Sequence, residues 1–212
     1  MSQRPILTTD SNNKTVRNIP AGRQWELLVS SDPTDVCRGT GISYNNAGYY
    51  NVNFMNRKVT VFPSVKSMEI DGEPASNFEF VLTILSYLLI KRNIILSGKW
   101  VSERDLKSGS TFFRGPHVLP VATLLQRFGR DAQGFIKAGI ALGGTVLREY
   151  GDAAIQIAVL PGMPVQCVLW CEDDEFPTRF SYLFDSAIDR YIALDVLLAM
   201  CHSMINCFVS NA

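Results

Sequence analysis

The chain is predicted to fold as an α+β protein, a single compact domain with antiparallel strands and four to five helices. Three observations predict it. YYNVNFMNRKVTVFP alternates apolar and polar residues around a central break, the pattern of a β-hairpin. DAAIQIAVLP and MPVQCVLWC repeat that alternation near the C-terminus, giving a second β-rich segment. Between and after these segments lie apolar stretches too long for strands and punctuated by helix caps and glycines.

The elements follow in order. Residues 1–20 are rich in Asn, Thr and Ser and read as a flexible lead-in, which leaves 21–212 for the domain. Arg23 to Ser30, with Trp25, Leu27, Leu28 and Val29, forms a short helix. DPTDVCRGTGISY is a turn-rich link punctuated by Gly39 and Gly41. In the hairpin, Tyr50, Val52 and Phe54 face one way, as do Val59 and Val61. The turn falls at Met55-Asn56-Arg57. VKSMEIDGEPA adds a third strand ending at Asp71-Gly72. Ser76 or Asn77 caps a helix through Phe80, Leu85 and Leu88 to about Lys91. It is apolar nearly all round and therefore belongs at the centre of the fold.

GKWVSERDLKSGSTFFRGPH is a long connection with Gly98, Gly109 and Gly115. Long connections of this kind are often functional. A helix from Leu119 to Phe128 carries Pro120 in its first turn and stops at Gly129. A second, from Asp131 to Leu142, stops at Gly143-Gly144. The two late strands come next, then the acidic run of Glu172, Asp173, Asp174 and Glu175. FSYLFD suits a strand or the start of a helix. Asp185 caps a helical SAIDRYI, and a last helix runs from about Ala193 to Phe208. Each half reads as a small sheet plus helices, but the residue-level match between the halves is poor.

Bulk properties narrow the function. Lys+Arg and Asp+Glu are 20 each, so net charge is zero and the basic excess of a general nucleic-acid binder is missing. The N-terminus lacks the apolar core of a secretory signal. The longest apolar stretch, Val81 to Ile90, is too short to span a bilayer. Five cysteines, an odd number without CxxC pairs, suit a reducing cytoplasm and argue against a four-cysteine metal centre within the chain.

WCEDDEFP poses the central question, because four adjacent carboxylates repel one another. Clustered oxygens suit a hard cation, paired carboxylates suit acid/base work, and a solvated turn needs neither. Trp170 and Phe176 flank the run as anchors. Asp152 and Asp185 are the further carboxylates placed to approach it. His117, in the long connection, is the better of the two histidines for acid, base or ligand roles, whereas His202 reads as a core histidine. The basic counterpart is the 98–117 segment, with Lys99, Trp100, Arg104 and Arg114. Its cationic and aromatic side chains suit an anionic, flat ligand or a partner surface. The acidic run is expected to meet this segment, since opposite charge there would offset its self-repulsion.

Six segments together resemble a known family: TGISY, SYLLIKRNIILSGKWVSERDLKSGSTFF, LGG, GDAA, LPGMPV and LWCEDDEFPTRFSYLFDSAIDRYI. The family is the uncharacterised bacterial and archaeal domain of unknown function 3786, and the resemblance covers roughly residues 25 to 200. It implies no established reaction, ligand, cofactor or metal. Some members stand beside iron–sulfur segments and many come from anaerobes. That implies a place near metallocofactor or redox metabolism, with any cluster held by an iron–sulfur or other redox partner. The resulting expectation is a cytoplasmic ligand- or partner-binding accessory protein acting without nucleic acid or membrane. The alternatives are a carboxylate-based, metal-assisted enzyme and an oligomerising structural domain.

Overall fold

A computed structural model describes residues 21–210, so the expected lead-in over residues 1–20 lies outside the described residues. Helix α1 (Ala21–Val29) buries Trp25 and Leu28, one turn apart. The turn-rich link holds a four-residue helix, α2 (Pro33–Val36). The Asp32 side chain accepts the Thr34 N–H at 2.7 Å, and Pro33 takes the first position, where no donor is needed.

Strands β1 (Ser43–Asn45), β2 (Tyr49–Phe54), β3 (Arg57–Phe62), β4 (Ser67–Ile70) and β5 (Glu73–Pro74) form an antiparallel meander in sequence order. Tyr50 stands opposite Val61 and Val52 opposite Val59, which gathers the alternating apolar set on one buried face. The hairpin therefore has the register that its pattern requires, since a one-residue slip would turn that set to water. Helix α3 (Phe78–Leu88) starts at Asn77, whose side chain accepts the Phe80 N–H at 2.9 Å. Seven of its eleven residues are buried, as expected of a central helix.

The long connection contributes β6 (Trp100–Val101) and the four-residue helix α4 (Gly109–Phe112). Helix α5 (Ala122–Phe128) begins later than expected, because the residue before Pro120 is pushed away from helical backbone and Leu119 turns into the core. Helix α6 (Ala132–Ala141) is capped by Asp131, which accepts the Gly134 N–H at 2.8 Å. Then come β7 (Thr145–Leu147), β8 (Ala153–Leu160), β9 (Met163–Trp170), β10 (Arg179–Asp185) and helix α7 (Leu194–Ser210). The β10 segment is a strand, and SAIDRYI holds only a short 3-10 turn over Ile188–Arg190. The described residues thus contain seven helices, not four or five; the surplus lies in the two four-residue ones.

The second sheet has the order β6-β10-β9-β8-β7, also antiparallel. Ile155, Cys167 and Tyr182 align across it, as do Ile157, Val165 and Phe184, giving one fully apolar face. Helix α6 lies tight on β8: a Cβ on Gly139 would come within 2.7 Å of the Ile155 side chain, and one on Gly144 within 2.3 Å. Phe135 of α6 meets Phe180 edge-on and stacks on Phe208 of α7, which ties helix layer to sheet. On α7, His202 is half-buried, and burial pushes its imidazole below the usual value. None of the five cysteines is in a disulfide. No helix of the described residues is long and apolar enough to cross a membrane.

Hydrogen bonds at two places help to join the sheets. The β8–β9 ladder slips at Val159, and its freed carbonyl accepts the Met55 N–H at 2.7 Å. The Tyr87 hydroxyl, from α3, reaches the carbonyls of Thr40 and of Pro161, the latter at 2.7 Å. Three of the segments that carry the resemblance therefore meet at one hydroxyl. Tyr87→Phe removes that donor from a half-closed junction and should cost about 1–2 kcal/mol. Urea unfolding measures it, and an unchanged midpoint would show that the clasp adds nothing.

Candidate functional site

The antiparallel order of the second sheet puts two loops at the same end: 148–152, between β7 and β8, and 171–178, between β9 and β10. Gly151 is required where they touch. Its φ is +59°, and a Cβ there would sit 2.5 Å from the Leu169 carbonyl oxygen. The Asp152 N–H donates to that oxygen at 2.9 Å. The Asp152 carboxylate in turn accepts the Cys171 N–H at 2.7 Å. Asp152 thus does approach the acidic run, as a brace for its first residues.

The four acids have separate fates. Glu172 makes a two-pronged pair with Arg130, Nε to Oε2 at 3.0 Å and Nη2 to Oε1 at 2.8 Å. The Arg130 guanidinium holds the Glu172 carboxyl below its usual range. The Glu172 N–H also donates to the Gly129 carbonyl at 2.9 Å. Asp173 folds the turn, accepting the N–H groups of Glu175 at 2.9 Å and Phe176 at 2.7 Å. Asp174 and Glu175 stand in water without an ion pair among the described residues. The run therefore survives its self-repulsion by pairing one carboxylate, using one in the turn and hydrating two.

The aromatic flanks divide as well. Trp170 is half-buried beneath the Arg179 guanidinium, 4.0 Å from its ring centre. Phe176, expected to anchor the run, is 65% exposed instead. The Asp173 turn holds the Phe176 backbone, and the ring stands in water. Beside Glu172 lies a shallow cleft of about 320 Å³ lined by Leu125, Arg127, Arg130, Asp131 and Thr178.

The expected meeting of the acids with the 98–117 segment is not made. Trp100 stands opposite Asp185 at one end of β10, whereas Arg179 begins that strand beside the acidic run. Six residue steps of extended chain separate the two ends by about 20 Å. Asp185 is accordingly not beside the acids, nor is it a helix cap. It is buried and accepts the N–H groups of Ser97, Gly98 and Ala187 and the Ser97 hydroxyl. Lys99 and Arg114 are exposed, and Arg104 pairs only with its neighbour Glu103 at 3.7 Å. His117 stacks flat on Phe112, with ring centres 4.6 Å apart, and touches no carboxylate. Sequence reasoning missed Arg130. Its only signal was a lone cation in the short break after Gly129, with nothing to say that the break would fold back onto residue 172. Among the described residues, no group of three or more His, Cys, Asp or Glu side chains is placed to hold a metal ion.

No curated protein and no solved structure matches the chain. A family model does, over residues 32–207, a span that includes both sheets and the acidic end. With most of its length matched, the chain belongs to the family described as domain of unknown function (DUF3786).

Proposed function

We propose that this protein is a non-catalytic partner-binding protein, and that the acidic end of its second sheet docks a cationic partner surface. One observation carries the reading: two exposed aromatics stand among carboxylates that no basic side chain pairs. Phe176 is 65% and Tyr150 41% exposed. Around them are Glu149, Asp152, Asp173, Asp174 and Glu175, none in an ion pair among the described residues. The bases on the two loops and the adjoining strand start are Arg148 and Arg179, while Arg130 is held by Glu172. Aromatic anchors inside a charged rim are the usual anatomy of an interface, in which the rim steers encounter and the rings supply contact area.

The test is titration with a synthetic peptide of alternating Arg and Leu, followed by backbone amide NMR. Shift changes should concentrate at residues 148–152 and 171–176. They should fade with added salt, and weaken about tenfold or more in Asp174→Lys/Glu175→Lys, as expected for reversed rim charges. Shifts spread evenly over every acidic residue of the surface would overturn the reading.

A further inference from the structure

The docking surface just described has a counterpart on the same molecule. At the opposite end of the second sheet, Lys91, Arg92 and Lys99 flank an exposed apolar tip in the chain, and the 190–191 segment, with Arg190, is bonded to it. Ile95 is 74% and Leu96 42% exposed. Those four cations, too, are in no ion pair among the described residues. The acids nearby are already engaged: Asp185 is buried among its donors, Asp189 accepts the Lys107 N–H at 2.9 Å, and Asp105, within reach of the Lys99 charge, accepts the Ser102 hydroxyl at 2.6 Å.

The tip is held rigidly. The Tyr191 hydroxyl accepts the Ile95 N–H at 2.9 Å and donates to the Ile95 carbonyl at 3.3 Å. Arg92 lies over the Tyr191 ring at 4.9 Å and donates to the Arg190 carbonyl at 2.8 Å. On its other side, the chain is tied down by the Ser97 and Gly98 N–H groups on Asp185. A loop pinned at both flanks with its apolar side chains outward has met its ordering cost before any partner arrives.

Resting on the docking reading above, we infer that the cationic surface taken by the acidic end is this basic, apolar end of a second copy. Copies then associate head to tail. Three features fit. The two ends are opposite in charge, each carries two exposed apolar side chains, and they lie at opposite ends of β10, so that one molecule cannot join its own ends. The chain's net charge is zero, so copies approach without overall repulsion. The contact uses two different patches. It is therefore heterologous and builds rings or open chains in place of a two-fold dimer. Of the basic segment expected from the sequence to meet the acidic run, Lys99 alone belongs to this surface, and its meeting with the acids is made between molecules.

Charge swapping in sedimentation velocity tests this. Asp174→Lys/Glu175→Lys makes both ends basic, and Lys99→Glu/Arg190→Glu makes both ends acidic. None of these four side chains makes an ion pair or side-chain hydrogen bond among the described residues, so both variants should fold. The wild type should grow in size with concentration at about 0.05 M salt and return to monomer at about 0.5 M. Each variant alone should associate about tenfold more weakly or worse, and an equimolar mixture should recover wild-type assembly. Variants that assemble like the wild type, or a mixture that stays monomeric, would sink the proposal. A monomeric wild type that still binds the Arg-Leu peptide at the acidic end overturns self-association and leaves the docking reading standing. A wild type that does neither removes both.

Discussion

Asp185→Asn should cost about 3 kcal/mol at neutral pH and flatten the acid limb of the stability curve. Asp185 is 1% exposed. Burial alone would push its carboxyl up. The N–H groups of Ser97, Ala187 and Gly98, with the Ser97 hydroxyl, outweigh burial and hold it below the usual carboxylate range. Replacing the carboxylate by an amide turns an NH₂ toward donors and leaves part of that set unsatisfied in the interior. Hydrogen bonds to a charged acceptor are worth about 1.5–3 kcal/mol each, and stranded donors cost a similar amount. The damage extends beyond one residue, because the same donors anchor the Ser97–Lys99 turn, and the Ser186 N–H donates to the Lys99 carbonyl at 2.8 Å.

The pH dependence has a definite sign. A carboxyl with a folded pKa below its unfolded value contributes stability above the unfolded value, about 3.9 for Asp. That contribution is lost as pH falls through the folded value. Wild-type stability should therefore drop more steeply below about pH 4 than that of the Asn variant, with the two curves converging in acid. Guanidinium unfolding from neutral pH to about pH 2 reads this. Parallel curves would mean that another carboxylate governs the acid limb.

Gly109→Ala should be comparably severe for a steric reason. A Cβ at Gly109 would lie 1.9 Å from the Glu103 carbonyl oxygen and 3.1 Å from its carbon. Both are backbone atoms of the short turn on which α4 rests, so no side chain can swing aside. The clash must be relieved by parting α4 from that turn, which loosens the buried Leu106 and Phe113. Overpacking against backbone at such a site should cost about 3 kcal/mol or more. Gly72→Ala is the control. Its φ is +86°, but no atom lies within 4 Å of the new Cβ, so only conformational strain of about 1–2 kcal/mol applies. Equal losses for the two variants would show that space at Gly109 is not the deciding factor.

Alternation and capping were legible without coordinates. The β2–β3 hairpin, the Asn77 start of α3 and the paired late strands follow from contacts a few residues apart, where periodicity and side-chain caps decide structure. The short elements were not legible. Strands β6 and β7 run to two and three residues and carry too little pattern to be told from loop; they exist because β10 and β8 offer them open edges. Nor could periodicity tell whether FSYLFD continues a sheet, which depends on β9 lying beside it.

The site divides along the same line. That WCEDDEFP would contain more charge than it could neutralise locally is a property of four adjacent carboxylates and was plain from the sequence. Which cation meets it was decided by topology. The α5–α6 break brings Arg130 to Glu172, across 42 positions of chain, while the length of β10 keeps Lys99 and Trp100 at the far end. Coulomb attraction shows which groups would gain by meeting. Only the packed path of the backbone between them determines whether they can.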